Sequence, residues 1–139
     1  MAIEFVQYDD FYSISSETTI ANDTALSTTS GNFIVVIVGL YSTTTTVSSI
    51  SDTAGNTYVK AIGENLGLWN ERKEIWYAEN ITGNANNITT VTFSASVLYR
   101  YISVAEFSGV ATSSSLDDIS HNETEGTEHS SGNADNLIY

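Results

Sequence analysis

Phe33-Ile34-Val35-Val36-Ile37-Val38-Gly39-Leu40 decides the fold class of this chain. Eight residues is a strand's length rather than a helix's, and the β-branched content favours extended backbone. Both parities of the run are apolar, which predicts a central strand covered on both faces. On the C-terminal side, Thr45 to Ile50 and Thr57 to Ile62 read as strands. They flank Ser51-Asp52-Thr53-Ala54-Gly55-Asn56, whose Asp, Gly and Asn supply turn chemistry. Leu68 to Glu79 carries both tryptophans, with Ile75 and Tyr77 on one strand face and Trp76 and Ala78 on the other.

Beyond a turn expected over Ile81 to Asn87, Thr89, Val91 and Phe93 alternate with Thr90, Thr92 and Ser94 as a half-buried strand does. Tyr99 to Phe107 alternates in the same way. Leu116 to Ser120 and Leu137 to Tyr139 are the last strand candidates, and Phe5-Val6-Gln7-Tyr8 is the first. No segment keeps apolar residues at helical spacing for three turns. The expected fold is therefore all-β: one antiparallel sandwich of eight to ten short strands, Ig-like or jelly-roll-like. Residues 1–139 are expected to form a single β-sandwich domain. Within it, 121–133 reads as an exposed acidic loop and 135–139 as a closing or exchanged strand.

Composition narrows the function. The 139 residues include no proline and no cysteine, and 17 acidic side chains against four basic ones give a net charge of −13. Lys60, Arg72, Lys73 and Arg100 cannot neutralise a row of phosphates, so neither nucleic acid nor an anionic membrane is an expected partner. The longest apolar run is too short for a membrane helix. Without cysteine there is no disulfide, no thiol nucleophile and no Cys-ligated zinc. Without proline, edge strands must be protected by acidic side chains, by bulges, or by pairing with another chain.

Catalytic patterns are missing. There is no Gly-x-Ser-x-Gly elbow, and the two histidines, His121 and His129, both lie in the polar tail. Glu74, Glu79 and Glu106 fall on predicted strands, where paired carboxylates could serve a glycosidase. Glu106 interrupts Val104-Ala105-Glu106-Phe107, and is expected to face solvent at the strand end or to pair with Arg100 or Lys73. No catalytic or cofactor-binding residue is assigned. For metal, His121, Glu123, Glu125, Glu128 and His129 offer oxygen and imidazole ligands, but their spacing matches neither a zinc nor a calcium motif. Asp52, with Asp9-Asp10 and Asp117-Asp118, is a second kind of oxygen-rich spot. Calcium is the ion such residues would take.

Asn-x-Ser/Thr tripeptides at Asn22, Asn80, Asn87 and Asn122 are candidate glycosylation sites, although so Asn-, Ser- and Thr-rich a chain produces several by chance. Trp76 reads as core packing. Trp69, Trp76 and the eight tyrosines could form a sugar-stacking platform; Trp69, beside Asn70 and Glu71, reads as exposed and is the better candidate, with neighbouring tyrosines in its site.

Several segments, taken in order, resemble a family of β-sandwich domains found in phage virion proteins and in bacterial or archaeal surface proteins. They are Gly31-Asn32-Phe33-Ile34-Val35-Val36, the run from Val47 to Tyr58, Ile75-Trp76-Tyr77-Ala78, Val91-Thr92-Phe93-Ser94, and Ile102 to Gly109. Ile3-Glu4-Phe5-Val6-Gln7 sits where such domains have their first strand. The resemblance implies a structural or surface-display role and carries no catalytic motif. The start of the chain lacks the basic and apolar regions of a secretory signal, as expected of a virion protein or of a surface protein already processed.

The expected function is a non-enzymatic structural subunit assembling on a surface: a capsid decoration or fibre-like module, or a subunit of an extracellular filament or surface layer. Its partners would be copies of itself or other virion or surface proteins. Ile3 and Phe5, and Leu137-Ile138-Tyr139, are the expected docking strands. The alternative is a glycan-binding or adhesion module built around Trp69.

Overall fold

The computed structural model describes residues 2–66 and 69–119. Ten strands follow in chain order: β1 (Glu4–Ser13), β2 (Glu17–Ala21), β3 (Leu26–Thr28), β4 (Phe33–Leu40), β5 (Val47–Asp52), β6 (Val59–Leu66), β7 (Glu71–Ala78), β8 (Asn84–Asn87), β9 (Thr89–Val97) and β10 (Arg100–Ser108). All their pairings are antiparallel. One sheet has the order β1-β10-β4-β7-β6, a second β2-β9-β5, and β3 pairs with β8. The sheets do not close into a barrel, and the arrangement is that of an all-β sandwich.

Alternation builds the core. Ile34, Val36, Val38 and Leu40 of β4 are buried, and Ile102 and Val104 of β10 lie beside them. Ile20 of β2, Val47 and Ile50 of β5, and Val91, Phe93 and Val97 of β9 join the same apolar cluster from the second sheet. Each such side chain contributes on the order of 1.5–3 kcal/mol against the entropy of ordering the chain.

Several expectations are corrected. Ile81 to Asn87 is not simply a turn: Asn84–Asn87 is β8, paired with β3. Thr53 and Asn22 supply side-chain bonds to Ile88 N and Thr89 N at its end, where the asparagine-rich composition reads as loop. Leu116 to Ile119 forms no strand. β2 and β3 have no strong sequence signal, being short, polar on their outer side and dependent on β9 and β8. Leu137 to Tyr139 and the 121–133 loop lie outside the described residues.

The largest correction concerns β4. It is central, but only its even-numbered face is covered; Ile37, on the other face, is 42 % exposed. Both edge strands of its sheet carry a bulge, between Phe5 and Gln7 in β1 and between Lys60 and Ile62 in β6. Bulges twist an edge away from further pairing, one of the protections expected of a chain without proline.

Two carboxylates buried between the sheets hold the layers in register. Glu106, fully buried, accepts bonds from Thr29 N (2.8 Å), Asn32 Nδ2 (2.7 Å) and Gln7 Nε2. The expected solvent-facing or ion-paired Glu106 is therefore corrected. Arg100 lies six residues away along β10, about 20 Å at strand rise, and Lys73 is on the opposite face of the sheet. Glu74 accepts from Arg72 Nε (2.6 Å), Trp76 Nε1 (3.0 Å) and Val47 N (3.2 Å), and Lys60 Nζ lies 3.5 Å away. Thr29 N and Val47 N belong to the opposite layer, so each carboxylate bridges the sandwich.

Burial pushes the Glu74 carboxyl up, but the bonds from Arg72, Val47 N and Trp76, with the Arg72 charge, outweigh it and hold the pKa below 4.5. A folded-state value below the unfolded one contributes stability that is fully present above pH 4.5 and is lost as pH falls through the folded value. Urea unfolding from pH 7 down to about pH 3 should show this loss. Glu74→Gln should cost about 2 kcal/mol at pH 7 and flatten the acid limb. An unchanged acid limb would remove Glu74 from the account.

Candidate functional site: the outer face of the five-stranded sheet

Because side chains alternate, the residues facing away from the core are fixed by register. At one end Phe5 of β1, Phe107 of β10 and Phe33 of β4 lie side by side. The next row runs Tyr8, Ala105, Val35, Tyr77 and Val59 from β1 to β6. The following one is Asp10, Ser103, Ile37, Ile75 and Ile62. Ring contacts knit the first two rows together. The centroids of Phe5 and Phe107 are 5.8 Å apart, those of Phe5 and Tyr8 6.1 Å, and Phe33 stacks on Tyr77 at 5.5 Å. Tyr8 is 60 % exposed and Val59 49 %, so this apolar face is open among the described residues. Exposed patches of that kind mark interaction surfaces.

The opposite end of the face changes character. Its row runs Tyr12, Tyr101, Gly39, Lys73 and Glu64, with Tyr41 and Tyr99 just beyond the strand ends. These tyrosines surround a cleft of about 500 Å³.

The residues singled out by the sequence fall as follows. Ile3 and Phe5 are exposed, Ile3 just ahead of β1 and Phe5 within the aromatic cluster. Trp69 is exposed ahead of β7 but does not line the tyrosine cleft. Trp76 packs against the core, as its pattern suggested. His121, Glu123, Glu125, His129, Asn122 and Leu137-Ile138-Tyr139 lie outside the described residues.

Asp52 is not an open oxygen ligand. Its carboxylate accepts from Asn56 N (2.9 Å), Asn56 Nδ2 (2.8 Å), Tyr58 Oη (2.8 Å) and Asn87 Nδ2 (3.1 Å). Burial pushes its pKa up, yet those four bonds more than offset this and hold it below 3.8. Burial also drives the Tyr58 hydroxyl well above its ordinary value, so it remains a donor to Asp52. No group of three metal-ligating side chains occurs among the described residues.

The glycosylation candidates differ in exposure. Asn22 and Asn87 are buried, Asn22 bonded to Thr24 O and Thr89 N, and Asn87 to Thr53, Ala54 N and Asp52. Neither amide is free on the folded chain. Asn80 is exposed.

The sequence offers the tyrosines as a possible sugar-stacking platform but not which of them meet. Tyr12, Tyr41, Tyr99 and Tyr101 are far apart in sequence and meet only through the β1-β10-β4 register. The parity shared by Tyr99 and Tyr101 was the one visible sign. No helix among the described residues is long and apolar enough to cross a membrane. Comparison with known proteins found no matching family model, no similar characterised protein and no similar solved structure.

Asp52→Asn should destabilise the fold by about 2 kcal/mol through loss of acceptor capacity in a partly buried network. Any change in melting temperature caused by calcium should be the same in the variant and the parent protein. A smaller calcium effect in the variant would place a cation on Asp52.

Proposed function

We propose that the protein is a non-enzymatic structural subunit that assembles with further copies of itself on a particle or filament surface. The settings expected from the sequence are a virion, as a decoration or fibre-like module, and an extracellular filament or surface layer. The observation that carries the reading is the aromatic end of the outer sheet face, where exposed Phe5 and Tyr8 join half-buried Phe33, Tyr77 and Phe107 beside bulged edges. Apolar surface on this scale is favourable to bury, and the bulges make face-to-face contact a better fit than strand addition. The expected docking role of Ile3 and Phe5 is kept in altered form: Phe5 would contribute its ring rather than its backbone.

The acidic charge suits such a subunit. A net charge of −13 keeps free subunits apart until apolar contact overcomes repulsion, so association should strengthen with added salt. Buried carboxylates that are fully engaged in hydrogen bonds serve the fold and leave no free acid pair at Glu74 or Glu106 for hydrolysis.

Sedimentation velocity tests this. The protein should self-associate below about 100 µM. Tyr8→Lys and Val59→Lys, at the two ends of one row, should each weaken association at least tenfold while shifting folding stability by no more than about 0.5 kcal/mol. A parent protein that stays monomeric, or variants that assemble normally, would contradict the reading.

A further inference from the structure

We propose that the tyrosine cleft at the other end of the outer face binds carbohydrate, specifically uncharged pyranose units, independently of the assembly contact proposed above. The cleft exists because Gly39 leaves a gap in an otherwise continuous row. Its cross-strand neighbours are Tyr101 on β10 and Lys73 on β7, both with long side chains. A Cβ at Gly39 would make ordinary van der Waals contact with Tyr101, Cβ at 3.7 Å and Cδ1 at 3.9 Å, so the bare glycine lets the Tyr101 side chain border the cleft floor. Glycine in a strand interior weakens the strand, and its use there fits close approach by a ligand. The resulting volume of about 500 Å³ lies in the range of small-ligand sites, roughly 300–1,000 Å³.

The walls are built before any ligand arrives. Tyr41 N donates to Tyr99 O at 3.1 Å, and the two rings meet edge to face at 5.7 Å and 86°. Tyr12 and Tyr101 are direct cross-strand neighbours on the other side. All four rings stand on strands or at strand ends, so little side-chain entropy is lost on binding.

Ligand class follows from the lining chemistry. Phenol rings offer flat apolar surface to the C–H faces of a sugar ring, and their hydroxyls both donate and accept hydrogen bonds. Lys73 adds three donors and Glu71 adds acceptors, one charge of each sign. Lys73 makes no ion pair among the described residues and so keeps its donors available. Arg72 and Arg100 also line the cleft, but their guanidinium groups are committed to Glu74 and Asn65 and to Ser15 O and Val97 O. The net charge of −13 repels anionic ligands at longer range. A hydroxyl-rich, uncharged ring satisfies every one of these groups.

The test is a glycan array carrying neutral and acidic glycans, followed by calorimetry with the neutral oligosaccharide giving the strongest signal. At least one neutral glycan should bind with a Kd of about 10 µM to 1 mM. Gly39→Val, which suits a strand and fills the floor, and Tyr99→Ala should each weaken binding at least tenfold. Thermal melts should show both variants folded; if Tyr99→Ala unfolds, Tyr99→Ser and Gly39→Val carry the comparison.

No neutral glycan bound, binding of acidic glycans alone, or unchanged affinity in both variants would overturn the proposal. So would variants that lose self-association while no sugar binds, since the cleft would then be a protein contact. Tyr8→Lys should leave glycan affinity unchanged, which separates failure of this site from failure of the assembly reading.

Discussion

Strand β4 is apolar on both faces, and the described chain covers only one of them. That asymmetry governs the molecule. Ile34, Val36, Val38 and Leu40 demand a second layer, which β2, β9 and β5 supply. Phe33, Val35 and Ile37 make the same demand on the other side, where β1, β10, β7 and β6 extend the surface without covering it. Hydrophobic burial is the main favourable term in association as in folding, and this half-covered pattern is what supports the proposed contact.

The interior shows how the chain manages without disulfides or a large ionic network. Glu74 and Glu106 each reach across the sandwich to a backbone amide of the opposite layer, Val47 N and Thr29 N. Those amides belong to the start of one strand and to a loop just beyond another, where ladder bonding is incomplete. Arg100 does similar work at the far end of β10, donating to Ser15 O, Val97 O and Ser13 Oγ. Glu74 and Glu106 each accept three hydrogen bonds, while Arg100 keeps its Nε without a partner among the described residues. Loss of either partner of a buried charge leaves the other costly to keep. The two carboxylate clamps tie the five-stranded sheet, which carries the aromatic cluster at one end of its outer face and the tyrosine cleft at the other, to the layer beneath it.

Fold class was legible because it depends on local period. The alternation of Thr89, Val91 and Phe93, and of Ile102 and Val104, survives intact in the burial of β9 and β10. The parity that set Trp76 and Ala78 apart from Ile75 and Tyr77 likewise places the first pair toward the core. What stayed hidden depends on register between distant strands. Nothing near Glu106 in sequence announces Thr29 or Asn32, and nothing near Gly39 announces Tyr12. Apolar character alone also could not say whether β4 is covered by its own chain or by another. β3 and β8 escaped notice because they are only three and four residues long and mostly polar, so each forms a strand only when its partner satisfies its backbone.

The proposed contact surface at the aromatic end of the outer face can be followed residue by residue. Hydroxyl-radical footprinting across a dilution series tests it most directly, because it reads individual side chains. Phe5, Tyr8, Phe33 and Tyr77 should be oxidised readily in dilute solution and become protected together as concentration rises, while Trp69 stays equally reactive throughout. Equal oxidation of the four aromatic rings at every concentration would contradict the account.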